Sequence, residues 1–100
     1  PVEEKLPVSE ENVLAVLAED YRVNPGLHMT VEDIGWYIDG TEEEIAAAAE
    51  ALEKKGDVMT YRDKKGKLRL AKATYDGLKK AFPKEHYRWF PSWVTDERRF

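Results

Sequence analysis

The sequence predicts a small α+β domain in which several helices accompany one β-hairpin. Two stretches of apolar residues recur at intervals of three and four behind a capping Ser or Thr, which is typical of amphipathic helices. A later stretch alternates apolar and polar residues on both sides of a glycine-containing turn, which is typical of a hairpin. With 100 residues, of which 42% are hydrophobic, the chain suits a single core.

Two helices are predicted in the first forty residues. After a loose lead-in over residues 1–8, Ser9 is expected to cap a first helix at about residues 10–21. A turn at residues 24–26 and a very short strand at residues 27–29 should follow. Thr30 is expected to cap a second helix, with Asp33 in a capping-box position and Gly40 at its end. The predicted apolar stripe of this second helix is Val31, Ile34 and Ile38.

A third helix and a hairpin are predicted next. Thr41 and Glu44 form a second capping box, and Gly56 ends the third helix. The predicted buried face of this helix is Ile45, Ala48, Ala49 and Leu52. Residues 58–62 and 67–70 are predicted to be strands joined by a turn at residues 63–66.

A fourth helix is predicted after the hairpin, capped by Thr74 and ended by Pro83. Its predicted buried side is Tyr75, Leu78 and Phe82. The predicted organisation is therefore a lead-in at residues 1–8, a folded domain at residues 9–82 and an aromatic extension at residues 83–100.

The order and spacing of these motifs resemble the winged helix-turn-helix superfamily, in particular small regulators of the MarR, PadR and ArsR kind. The resemblance spans roughly residues 13–82. It is carried by the segment that ends the third helix, ALEKKG at residues 51–56, and by Leu70, Thr74 and Gly77 in the pattern Leu-x-x-x-Thr-x-x-Gly. The resemblance implies a three-helix core, a β-hairpin wing and an additional C-terminal helix, and it does not cover the aromatic tail at residues 83–100. It also implies a transcription regulator, usually dimeric, whose third helix enters the major groove of duplex DNA while the wing touches the backbone or minor groove.

Charge is distributed unevenly along the chain. The net charge is −4, yet residues 1–57 carry 15 Asp and Glu against 4 Lys and Arg, whereas residues 58–100 carry 5 against 12. We expect the cations of the second half to gather on one surface, away from the acids, and to contact DNA phosphates. The candidate nucleic-acid-binding residues are Arg62, Lys64, Lys65, Lys67, Arg69 and Lys72. The competing interpretation is a solvated edge strand that lysines protect against aggregation.

The third helix departs from the pattern of a groove-reading helix. Its first turn is Glu42, Glu43 and Glu44, and carboxylates repel the phosphates that dominate affinity for DNA. Binding led by the wing would therefore be salt-sensitive and weakly specific. The alternative function is a protein-interaction or dimerisation module on the same scaffold, which would use the acidic, alanine-rich third helix and the aromatic tail.

Six of the eleven aromatic residues lie between Phe82 and Phe100. Three explanations remain open: the tail completes the core of its own domain, it forms a dimer or partner interface, or it stacks on nucleic acid bases. The candidate interface residues are Tyr87, Trp89, Phe90 and Trp93.

The remaining observations exclude several function classes. The chain has no cysteine, only two distant histidines and no glycine-rich phosphate loop, so we expect no enzyme activity, metal, cofactor or small-molecule ligand. No apolar run is long enough for a membrane span, and the N-terminus does not resemble a signal peptide, which favours the cytoplasm. The many Glu and Lys residues with no Gln resemble a thermophile composition.

Overall fold

Helix α1 is the element on which the other helices and the sheet pack. The computed structural model describes residues 5–84, and in it α1 is Glu10–Val23, two residues longer than the prediction. The Ser9 hydroxyl accepts the Asn12 backbone N–H at 3.0 Å, as expected of an N-cap. The face of α1 that enters the core is Val13, Leu14, Leu17, Ala18 and Tyr21. It packs mainly against the helices at Glu42–Lys54 and Tyr75–Ala81 and against the strand at Leu68–Ala73.

The second predicted helix is wrong in its length. Helix α2 is only Val31–Ile34, and Ile38–Asp39 form strand β3, parallel to strand β1 at Leu6–Pro7. After α2 the chain continues in turns, in which the Trp36 N–H donates to the Asp33 carbonyl at 3.1 Å and the Tyr37 N–H to the Ile34 carbonyl at 2.9 Å. The Leu6 N–H then donates to the Tyr37 carbonyl at 3.0 Å, where β1 and β3 begin to pair. Ile38 is still fully buried, so the apolar stripe predicted burial correctly but not conformation. The predicted lead-in thus contains a paired strand.

Helix α3 is Glu42–Lys54, and its N-terminus confirms the predicted capping box. The Thr41 hydroxyl accepts the Glu44 N–H at 3.1 Å, while the Glu44 carboxylate accepts the Thr41 N–H at 2.9 Å. Ile45, Ala49 and Leu52 are buried and Ala48 is half-buried, which agrees with the predicted face. The opposite face, including Glu43, Ala47 and Glu50, is exposed.

The hairpin belongs to a three-stranded antiparallel sheet. Its strands are β4 at Val58–Arg62 and β5 at Leu68–Ala73, so the second strand runs three residues beyond the prediction. Strand β2, Met29–Thr30, pairs with the other edge of β5, which gives the order β2-β5-β4. The register between β4 and β5 shifts near the hairpin end, where Tyr61 opposes Leu70 but Arg62 opposes Leu68.

Helix α4 is Tyr75–Ala81, and Thr74 joins it to the hairpin. The Thr74 hydroxyl donates to the Gly56 carbonyl at 2.7 Å and accepts the Gly77 N–H at 3.1 Å. The Thr74 N–H donates to the Asp57 carbonyl at 3.0 Å. The backbone and side chain of this one residue therefore link the connection between α3 and β4 to the first turn of α4.

The part of the chain that the structure describes is thus an α+β domain with four helices and two small sheets. None of these helices is long and apolar enough to cross a membrane. The candidate interface residues Tyr87, Trp89, Phe90 and Trp93 lie outside the described residues.

Candidate nucleic-acid interface

The tip of the hairpin is a turn held by one carboxylate. Asp63 Oδ1 accepts the N–H groups of Lys65 and Lys67, each at 2.9 Å, and the Asp63 N–H donates to the Lys67 carbonyl at 2.9 Å. Gly66 completes the turn with a φ of 86°, a conformation that favours glycine. The N–H of Lys67 is the main cause that lowers the pKa of Asp63. The turn therefore has a defined shape, and its two lysines, Lys64 and Lys65, are exposed to solvent.

Two of the six candidate cations pair with carboxylates of α3, because that helix lies beside the hairpin. Arg62 Nη2 is 2.9 Å from Glu50 Oε2 and 3.8 Å from Glu53 Oε1. Its other terminal nitrogen donates to the Gly66 carbonyl at 3.2 Å. Lys67 Nζ lies 3.8 Å from Glu42 Oε1. At these two positions the expected separation of cations from acids is not met, and carboxylates of α3 hold the hairpin instead.

The other four candidates form no ion pair with any residue between positions 5 and 84. Lys64, Lys65 and Arg69 are exposed at or next to the tip. The register shift passes over Arg69, which leaves it without a directly opposing residue on β4. These three residues, named here the wing-tip triad, are the part of the hairpin that is free to meet an anionic partner.

Lys72 is placed differently from the triad. It is half-buried, opposes Met59 in the sheet and lies near His28. Burial lowers the pKa of His28, and the positive charge of Lys72 lowers it further. The His28 ring also meets the Tyr61 ring edge-on, with centroids 4.5 Å apart. Lys72 therefore belongs to the base of the hairpin rather than to its tip.

The first turn of α3 presents carboxylates, whereas a helix that reads the DNA major groove presents hydrogen-bond donors to bases and phosphates. Glu44 is engaged in the capping box, Glu42 faces Lys67, and Glu43 is exposed. These acids stabilise the helix N-terminus through its dipole. A phosphate that approached this turn would meet negative charge, which opposes binding.

The remaining cations of the second half are also divided by the fold. Lys80 pairs with Asp57 at 2.8 Å, and Asp57 is only 2% exposed. Lys79 and Lys84 are exposed and make no ion pair within residues 5–84. No sequence pattern distinguishes these three lysines. In the structure, Lys80 pairs with a buried carboxylate, whereas Lys79 and Lys84 face solvent.

Sequence reasoning missed a second exposed feature, which lies around the turn after α2. Trp36 is 73% exposed and Tyr37 is 58% exposed, although both are large and aromatic. A signal was present, because neither residue falls on the stripe of Val31, Ile34 and Ile38. Both side chains would have pointed outward even from the longer helix that the periodicity predicts.

The comparisons with known proteins identify no relative. No protein-family model, curated protein or solved structure matches the chain. Residues 5–84 also contain no group of three or more His, Cys, Asp or Glu side chains that could hold a metal ion. The function must therefore be argued from the geometry and charge of the chain itself.

Proposed function

We propose that the chain is a winged-helix DNA-binding protein whose hairpin is the wing and contacts the phosphates of duplex DNA. The fold assignment is supported by the element order, in which α1, β2, α2, α3 and the β4–β5 hairpin follow one another. It is also supported by the strand order β2-β5-β4, which places the hairpin on the same sheet as the strand between the first two helices. Transcription regulation is the role that duplex binding on this scaffold favours.

The observation that carries the proposal is the wing-tip triad. Lys64, Lys65 and Arg69 are exposed in or next to a turn whose shape Asp63 fixes, and none of them forms an ion pair with a residue between positions 5 and 84. Asp63 lies close enough to Arg69 for that positive charge to contribute to its lowered pKa, so one carboxylate remains beside the three cations. Three such cations can replace the counterions of neighbouring phosphates, and the release of those counterions drives binding. Because the acids of α3 keep that helix out of the major groove, we expect little discrimination between sequences.

Fluorescence anisotropy with a labelled duplex tests this proposal. If the triad neutralises three phosphates, the slope of log K against log salt is about −2.7 per chain. Between about 50 and 200 mM salt, affinity should then fall roughly 40-fold. The double variant Lys64→Glu with Lys65→Glu should bind far more weakly, and its slope should be no steeper than about −0.9.

The matched control is Lys5→Glu with Lys54→Glu. Both lysines are exposed, neither forms an ion pair within residues 5–84, and the change in net charge is the same. The control should retain most of the affinity. Absence of binding at low salt, or equal loss in the two double variants, contradicts the proposal.

The alternative of an interaction module built on α3 has less support. Glu50 and Glu53 already bind Arg62, and Glu44 is used by the cap, so much of the acidic surface is engaged within the domain. A stable homodimer in light scattering, together with no affinity for DNA at low salt, would favour this alternative over the first.

A further inference from the structure

Helix α1 carries an apolar hollow whose lining includes no residue of the wing-tip triad. The hollow has a volume of about 740 Å³, and its apolar lining comes from Leu6, Val16, Val23, Trp36 and Tyr37. Besides the two aromatic side chains, Val23 is 60% exposed and Leu6 is 42% exposed. Single apolar residues on a surface are ordinary, but a contiguous group that includes a tryptophan marks an interaction site.

A second hollow continues the first along α1. It has a volume of about 700 Å³ and lies against the end of α4, where Ala81 and Phe82 contribute to its wall together with Leu14. Both hollows are lined by Ala15 and Glu19, so they meet at that point of the helix. We name the two together the α1 groove. It runs from Phe82, near the point where the described chain ends at Lys84, to Trp36.

The chain that follows residue 84 has the composition and length to fill this groove. Its aromatic side chains are Tyr87, Trp89, Phe90, Trp93 and Phe100. Sixteen extended residues reach roughly 50 Å, whereas the longest dimension of the described part of the chain is 37 Å. The segment therefore starts beside one end of the groove and is long enough to reach the other.

Charge also distinguishes this segment from a second copy of the domain. The charged side chains that line the groove are net acidic, so two grooves brought face to face would repel each other. They are Glu10, Glu11, Glu19, Asp20 and Asp57 against Lys5, Lys55 and Lys80. Residues 85–100 carry three acidic and three basic side chains and so have no net charge, and the aromatic stretch at residues 86–95 contains Arg88 and no carboxylate. It can therefore approach the acidic rim without this penalty.

We propose that the α1 groove is the docking site of the chain's own C-terminal segment, residues 85–100. Docking buries the aromatic side chains of that segment against Trp36, Tyr37 and Val23, and so covers apolar area that would otherwise stay in water. The groove lies apart from the wing-tip triad, so the proposal does not depend on DNA binding.

Paramagnetic relaxation in the 100-residue chain tests this assignment. The chain has no cysteine, so Ser92→Cys provides a single site for a nitroxide label. We expect selective loss of the amide signals of Ala15, Val16 and Val23 and of the Trp36 indole signal. The amide signals of Lys64 and Lys65 at the tip of the hairpin should keep their intensity. Broadening at this tip instead of the groove, or no selective broadening, overturns the proposal.

Mixing separates binding within one chain from binding between chains. A sample of ¹⁵N-labelled chain without nitroxide, combined with unlabelled chain that carries it, should show no loss of groove signals. Loss of those signals in the mixed sample would mean that the groove receives the tail of a second copy, which contradicts docking within one chain.

A matched pair of variants tests the role of the groove itself. Ala15→Glu places a charged, longer side chain where the hollows meet, between Glu11 and Glu19 on an exposed helical position. Ala47→Glu makes the same change on the exposed face of α3, between Glu43 and Glu50. In the spin-labelled chain, the first variant should restore the groove signals and the second should leave them broadened. Equal behaviour of the two variants overturns the assignment.

Discussion

Replacement of Gly77 by Ala should destabilise the domain, although Ala is the better helix former. A Cβ atom at residue 77 would lie 2.0 Å from the Asp57 carbonyl oxygen, 3.0 Å from the Asp57 carbonyl carbon and 3.2 Å from Leu14 Cδ1. The first two contacts are with backbone, which cannot rotate away. The first turn of α4 must therefore move away from the start of β4.

That movement separates the groups that Thr74 holds together. Its N–H bond to the Asp57 carbonyl and its hydroxyl bond to the Gly56 carbonyl are both at the point of the clash. Each hydrogen bond contributes about 1 kcal/mol to stability, and overpacking in a tight site costs about 1–3 kcal/mol. The helix propensity of Ala returns about 1 kcal/mol. We expect the free energy of unfolding of Gly77→Ala to fall by about 3 kcal/mol.

Urea unfolding followed by circular dichroism measures this loss. In thermal unfolding followed by the same signal, the melting temperature of Gly77→Ala should fall by roughly 12–24 °C for a domain of this size. Lys79→Ala is the control, since Lys79 is exposed on the same helix and its removal should change stability by less than about 0.5 kcal/mol. If Gly77→Ala were as stable as this control, the close approach of α4 to Asp57 would not constrain the fold.

Three further outcomes are expected. Glu50→Gln with Glu53→Gln should release Arg62 for one more phosphate contact and tighten duplex binding about 8-fold at 0.1 M salt; unchanged affinity in the anisotropy assay would contradict the neutralising role of α3. Because the pKa of His28 is lowered in the folded state, the unfolded chain binds more protons, so stability should fall as pH drops below about 6.5. His28→Gln should remove the fall of the urea midpoint between neutral and mildly acidic pH that His28 causes. A pH profile that is unaltered in this variant would contradict the role of His28. Thr41→Ala should lower the free energy of unfolding by about 1 kcal/mol through loss of the cap, whereas Thr41→Ser should not; equal loss in both would exclude the hydroxyl as the cause.

The candidate site was predictable only in part. The position of the basic hairpin follows from its strand pattern and its turn, and the exposure of Lys64 and Lys65 follows from their place in that turn. The neutralisation of Arg62 does not follow from such patterns. It depends on α3 lying beside β4, where Glu50 Oε2 comes within 2.9 Å of Arg62 Nη2. No local pattern in the sequence reports that distance. The α1 groove was missed for the same reason, since its walls come from segments far apart along the chain.

The sequence by itself determined the elements that depend on neighbours a few positions away. The caps at Ser9, Thr41 and Thr74 were all predicted, because a cap joins a side chain to a backbone N–H three residues on. Only the tertiary structure decided that Ile38 lies in a strand, since a buried apolar residue suits a helix or a strand equally well until Leu6 pairs beside it. Hydrogen bonds and ion pairs act over distances in space, and the distances between remote segments exist only once the chain has folded.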